Sequence, residues 1–135
     1  MAASLSLGPV HHIALLVEDL AGAEAFYSGT LGLRVERRWP EPDGGTRSVW
    51  LSLGNNVVLM LEKADPGAVR RSDFGGGWHL LSFTIVASER AKLESDLRAR
   101  NIPIESRTDY TLYVRDPEGN RIAFSHYPHP VPQRP

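Results

Sequence analysis

One short pattern occurs twice in this chain, and that duplication restricts the fold more than any other feature. The first copy reads Val10-His11-His12-Ile13-Ala14-Leu15-Leu16-Val17, and the second reads Trp78-His79-Leu80-Leu81-Ser82-Phe83-Thr84-Ile85. Each is followed by a stretch with helical features and then by short apolar strands. A strand–helix–strands unit made twice builds a curved sheet with helices on one side and an open face on the other. Two copies are too few for a solenoid.

In the first unit, residues 10–17 read as a buried strand, and Asp19 offers an N-cap for a helix running to about Leu31. Gly32 is suited to stop that helix in the left-handed conformation. Strands follow at 33–39, 48–53 and 57–62, with Gly54-Asn55-Asn56 as a tight turn. In the second unit a strand is expected from Trp78 to about Ile85, and a helix capped by Ser88 to about Arg100. Strands are expected at 102–105, 110–115 and 121–126, with Asp116-Pro117-Glu118-Gly119-Asn120 as a reversal. The expected class is α+β: two βαβββ modules forming a curved, cup-like mixed sheet with helices on the convex side. Module one covers about 8–62, a linker 63–77, module two about 78–127, and a disordered Pro-rich tail 128–135, all within a single domain.

Alternation along strands sorts the side chains. Ile13, Leu15 and Val17, then Val57, Leu59 and Leu61, belong under the first helix. His12, Ala14 and Leu16, with Val58, Met60 and Glu62, belong on the concave face. Trp50 and Ser52 join them. In the second unit Leu81, Phe83, Ile85, Ile122 and Phe124 are helix-side. Leu80, Ser82, Thr84, Thr111, Tyr113, Ala123 and Ser125 are concave. Apolar walls with a few polar groups are what small-molecule pockets use. The expected ligand-binding set is His12, Leu16, Trp50, Met60, Glu62, Leu80, Ser82, Tyr113 and Ala123, with Glu62 and His12 as acid–base candidates. Trp39, Trp50 and Trp78 are candidates for stacking a flat ligand. Arg70-Arg71 is read as a solvated loop pair, His11 as facing away from the pocket and structural or exposed, and His126 as structural.

Composition removes other classes. A net charge of −1 gives no electrostatic case for nucleic acid or an anionic membrane. No apolar run reaches membrane-spanning length. Residues 1–7 lack a basic segment and a long apolar core, so no signal peptide is expected. The absence of cysteine excludes disulfides and thiolate chemistry and fits a cytoplasmic protein.

Three stretches, "HHIALLVEDLAGAEAFYSGTLGL", "VVLMLE" and "YVRDPEGNRIAF", resemble the vicinal oxygen chelate superfamily. It includes glyoxalase I, fosfomycin-resistance enzymes, extradiol dioxygenases and bleomycin-resistance proteins. Metal-using members take a His from the first strand and a carboxylate from the last strand of each module. Mapped here, the resemblance implies His12 and Glu62 from module one, but Leu80 and Ala123 in module two. Hydrocarbon cannot coordinate a cation, and a stable site needs three or four donors. His79 lies one residue off and could serve only if a bulge turned it inward.

The leading expectation is therefore a glyoxalase/bleomycin-resistance-like protein. It would bind a small hydrophobic or aromatic metabolite or antibiotic without a cofactor. One alternative is a metal-dependent lyase/isomerase or dioxygenase of the glyoxalase type, using His12, Glu62 and possibly His79 with a divalent metal. Another is a metal-free isomerase or lyase with Glu62 or His12 as base. The last is a non-catalytic regulatory or structural module. The resemblance also implies a homodimer.

Overall fold

The structure is a computed structural model that describes residues 4–70, 72 and 75–131. The chain divides into two compact units, one up to Ala68 and one from Val69 onward.

In the first unit the elements run β1 (His12–Val17), α1 (Leu20–Glu24), β2 (Val35–Pro40), β3 (Thr46–Gly54) and β4 (Val57–Lys63). Asp19 caps α1, its side chain accepting from the Gly22 N–H at 3.0 Å. The helix then widens into a π-helical segment, Ala25–Thr30, in which the Leu31 N–H reaches back five residues to the Phe26 carbonyl at 2.9 Å. Phe26 and Tyr27 are both buried there, their rings edge to face. Gly32 follows with φ 82, as its position after the helix predicts.

The sheet order is β1-β4-β3-β2, with β1 parallel to β4 and the other pairs antiparallel. Asn55 and Asn56 make the β3–β4 turn with φ 52 and 63, which short polar side chains tolerate. The ladder shifts between Ser52 and Gly54, leaving Leu53 as an extra residue in β3. Val17, Val49, Leu51, Leu59 and Leu61 are buried on one face, where α1 packs on β3 and β4. Each fully buried Leu contributes about 1.5–3 kcal/mol of transfer free energy. Ile13 shares their parity but stays 39% exposed near the start of edge strand β1.

The second unit runs β5 (Leu81–Thr84), α2 (Arg90–Ala99), β6 (Ser106–Arg107), β7 (Thr111–Arg115) and β8 (Arg121–Ser125), in the sheet order β5-β8-β7-β6. β5 is parallel to β8, and the other pairs are antiparallel. The same connectivity thus appears twice, in an α+β fold of two four-stranded mixed sheets. Leu112, Val114, Ile122 and Phe124 are buried on one face, and Phe83 stacks on Phe124 with ring centroids 6.3 Å apart.

Several sequence expectations shift in this unit. β5 begins at Leu81, not Trp78, and Trp78 is 97% exposed. Ser88 does not cap α2. It lies inside a 3-10 turn, Ala87–Glu89, and α2 starts with no side-chain cap. The strand expected at 102–105 forms instead at Ser106–Arg107. Asn101, with φ 58, does end the helix. The reversal at 116–120 is built as expected. Buried Asp116 accepts from the Glu118 and Asn120 N–H groups at 2.9 and 2.8 Å and from Asn120 Nδ2 at 3.0 Å, and Gly119 takes φ 86.

In the stretch read as a disordered tail, the His129 and Val131 N–H groups bond back to the His126 and Asp109 carbonyls at 2.8 and 3.3 Å. The last four residues lie outside the described residues, as does Arg71.

Candidate functional site

The register of the first sheet decides which open-face residues meet. One row across the strands holds Leu16, Glu62, Ser48 and Trp39, and the next holds Ala14, Met60, Trp50 and Arg37. A third holds His12, Val58 and Ser52. Opposite residues on paired strands point to the same side, so these rows form one surface. Leu16 is 65% exposed on it.

Glu62 is the best-anchored polar group on that surface. Its Oε1 accepts from Ser48 Oγ at 2.9 Å, and Ser48 Oγ accepts from Trp50 Nε1 at 3.0 Å. Ser48, the middle group of this chain of bonds, is 1% exposed, while Trp50 and Glu62 at its ends are half-buried. Among the described residues, Glu62 has no cationic partner within ion-pair distance and no bond to its second oxygen. Trp39 lies against Trp50 with ring centroids 5.3 Å apart, and the Arg37 guanidinium covers the outer Trp39 ring at 3.7 Å. Trp39 Nε1 is buried without a partner among the described residues. Beside Leu16 and Glu62 lies an open depression of about 760 Å³, bounded by Glu41, Asp43, Arg47 and Lys63 among others. Lys63 is engaged by Glu41 at 3.4 Å.

His12 stands apart from this group. It pairs in register with Val58, whereas Glu62 pairs with Leu16. Four residues of strand separate the two, about 13 Å at a rise of about 3.3 Å per residue. His12 Nδ1 lies 2.9 Å from His11 Nδ1, and both rings are exposed. Unit one therefore brings Glu62, Leu16, Met60 and Trp50 into adjacent rows and leaves His12 two rows away from Glu62.

In unit two Ser82, Ala123 and Tyr113 share one row, and Thr84, Ser125 and Thr111 the next. Thr111 Oγ1 donates to Ser125 Oγ at 3.1 Å. Ala123 is not a free wall position. At 1% exposure it is covered by its neighbours. Leu80 is half-buried just before β5.

His79 was expected to point away from this face. It lies before β5 and is exposed, and its ring meets the guanidinium of Arg121, with Nη1 3.0 Å from Nδ1 and 3.2 Å from Nε2. Arg121 also donates to Glu105 Oε1 at 3.2 Å, and Arg115 grips the same carboxylate through Nε and through Nη2 at 3.1 Å. The bond from Arg115 foremost, with the bond from Arg121 and the charges of both, holds the Glu105 carboxyl down at about 2 against the opposing effect of desolvation.

The sequence reading missed Ser48 and the arginine–glutamate cluster. His126, expected to be structural, is buried with Nε2 3.1 Å from Arg90 Nη1 and Nδ1 bonded to the His129 carbonyl. Among the described residues no three His, Cys, Asp or Glu side chains gather in a metal-binding group.

Comparison with known proteins agrees with this architecture. The sequence pattern of the Glyoxalase/Bleomycin resistance protein/Dioxygenase superfamily matches residues 10–124. The chain belongs to this family. Human mitochondrial methylmalonyl-CoA epimerase is 32% identical over 80 residues, covering 56% of this chain and 46% of the epimerase. The chain thus spans about half the length of the first curated relatives it matches. A glyoxalase/dioxygenase from Nostoc punctiforme superposes with a TM-score of 0.73 at 21% identity, covering 95% of this chain and 100% of the other. The fosfomycin resistance protein FosX of Listeria monocytogenes, solved with Mn(II), gives 0.71 at 12% identity over 90% and 93% of the two chains. At these identities the two structures establish the shared fold alone. No described helix is long and apolar enough to cross a membrane.

Proposed function

We propose that this chain binds a small apolar or aromatic molecule, a metabolite or an antibiotic, on the open face of its first unit, and does so without a metal. One observation carries the reading: Glu62 is held by buried Ser48 among Leu16, Met60 and Trp50, while His12 sits two rows away. A flat ligand finds indole and thioether to lie on and one carboxylate oxygen to orient it.

The donor set does not fit a divalent cation. Zinc ligands stand about 2.0–2.2 Å from the metal, and His12 and Glu62 are separated by about 13 Å of strand. His79 lies against a guanidinium, a poor setting for a cation ligand. Within unit two the open-face positions on β5, β7 and β8 hold no His or carboxylate. Elemental analysis after dialysis, with Ni²⁺, Mn²⁺ and Zn²⁺ titrations, tests this. Less than about one-tenth equivalent of metal is expected, and one tightly held equivalent would overturn the reading. Tryptophan emission screened against aromatic metabolites should show saturable quenching, lost in Trp50→Leu.

A second reading follows from the epimerase relative: Glu62 as a base that moves a proton on a carbonyl compound. Glu62→Gln separates the two, since unchanged turnover of an acyl-CoA substrate would eliminate the base. We further propose a cytoplasmic homodimer. Light scattering at micromolar concentration should give twice the mass of one chain.

A further inference from the structure

The polarity of the Trp50–Ser48–Glu62 chain restricts what Glu62 can recognise. An indole N–H only donates, so Ser48 Oγ receives it as an acceptor. The Ser48 hydroxyl proton is then directed at Glu62 Oε1, 2.9 Å away. Ser48 is 1% exposed, so no bulk water competes for it. The three groups sit on adjacent strands at register positions set by the ladder, Ser48 opposite Glu62 and Trp50 opposite Met60. Hydrogen bonds arranged head to tail strengthen one another, and a low local dielectric raises the cost of breaking any of them. One carboxylate oxygen is therefore committed. The other has no partner among the described residues and opens onto the face that carries Leu16, Met60 and Trp50.

We propose that Ser48, oriented by Trp50, is a positioning residue that fixes Glu62 so that its second oxygen selects ligands carrying an N–H or O–H donor. The proposal rests on the open-face binding reading and deepens it. An ionised carboxylate is acceptor-only, so a donor on a flat apolar body is matched. A ligand with the same body and no donor leaves the oxygen desolvated and unsatisfied. Ser48 touches no ligand and acts through Glu62.

Indole and 1-methylindole provide matched probes, since they share a flat ring and differ at the N–H. Binding of each to the full ¹⁵N-labelled chain is followed by chemical-shift titration. The wild-type chain should bind indole roughly tenfold more tightly, the ratio expected of one hydrogen bond to a charged group. Glu62→Gln, which can offer an NH₂ donor at the same place, should abolish or reverse that preference. Ser48→Ala should reduce it below about threefold and move the Trp50 indole proton upfield in the unliganded protein. Ser48→Thr, which keeps the hydroxyl on a strand-compatible side chain, should restore both. The Trp78 indole, fully exposed, should stay still throughout.

Equal binding of both probes to wild type, or a tenfold preference kept in Ser48→Ala, overturns the proposal and leaves the open-face reading standing. Absence of binding by either probe overturns both. If Ser48→Ala does not fold, Glu62→Gln decides: an undiminished preference for indole would sink the idea.

Discussion

The two units share one order of elements and differ on the face away from their helices. In the first, that face carries two tryptophans, a methionine and a carboxylate held by a buried hydroxyl. In the second, it carries serines, threonines and a covered alanine, with an arginine–glutamate cluster at one end. The helix-side faces are alike: both are packed with Val, Leu, Ile or Phe. Duplication of a fold therefore fixes the core pattern twice and leaves the opposite face free to diverge. The binding we propose draws on the face whose polar group is anchored but not saturated, which is that of the first unit.

The comparison can be broken most directly at the cores. Leu61→Ala and Ile122→Ala each empty a fully buried position, and each should cost about 2–5 kcal/mol in urea unfolding. A cost below 1 kcal/mol for either would show that its helix-side face is not a packed core.

The turns come next. Asp116→Ala removes three hydrogen bonds from a buried carboxylate and should cost about 2–3 kcal/mol. Asn55→Ala in the first unit loses only tolerance of positive φ, about 1 kcal/mol.

The helix starts sharpen the contrast further. Asp19→Ala should cost about 1 kcal/mol because it removes a cap, whereas Ser88→Ala should stay within about 0.5 kcal/mol because Ser88 caps nothing.

The smallest effect concerns pH. The Glu105 carboxyl is held at about 2, below its ordinary 4.5, so its ion pairs add stability above about pH 4.5 and lose it as pH falls toward 2. Wild type should lose stability across that window more steeply than Glu105→Gln. Parallel curves would show that the cluster contributes nothing, as exposed pairs often do.

Much of this was legible in the sequence. Alternation placed Leu59, Leu61, Ile122 and Phe124 on their sheets' packed faces, because a period of two survives wherever the ladder is regular. Gly32 and the turn at 116–120 were readable because their chemistry is local. The start of β5 was not. Trp78 to Ile85 contains no Gly, Pro, Asn or Asp to mark where pairing begins, and Gly75–Gly77 marks only a bend before it. The relay was not legible either. Ser48 and Glu62 lie 14 residues apart, and their meeting depends on the cross-strand register, which composition does not reveal. The resemblance mapped His12 and Glu62 as a pair and parity put them on one face, but neither gives their distance along the strand.

The extra residue in β3 has a consequence for how this chain tolerates changes in length. Ser52 already pairs with Val58, and Gly54 with Val57, so Leu53 has no rung of its own. A variant lacking Leu53 would close the same hairpin with an even ladder and keep the hydroxyl opposite the carboxylate. Losing any one residue between Ser48 and Ser52 would instead carry Arg47 into that place. Deletions a few positions apart would thus have opposite fates, one silent and the other replacing a neutral donor with a full positive charge.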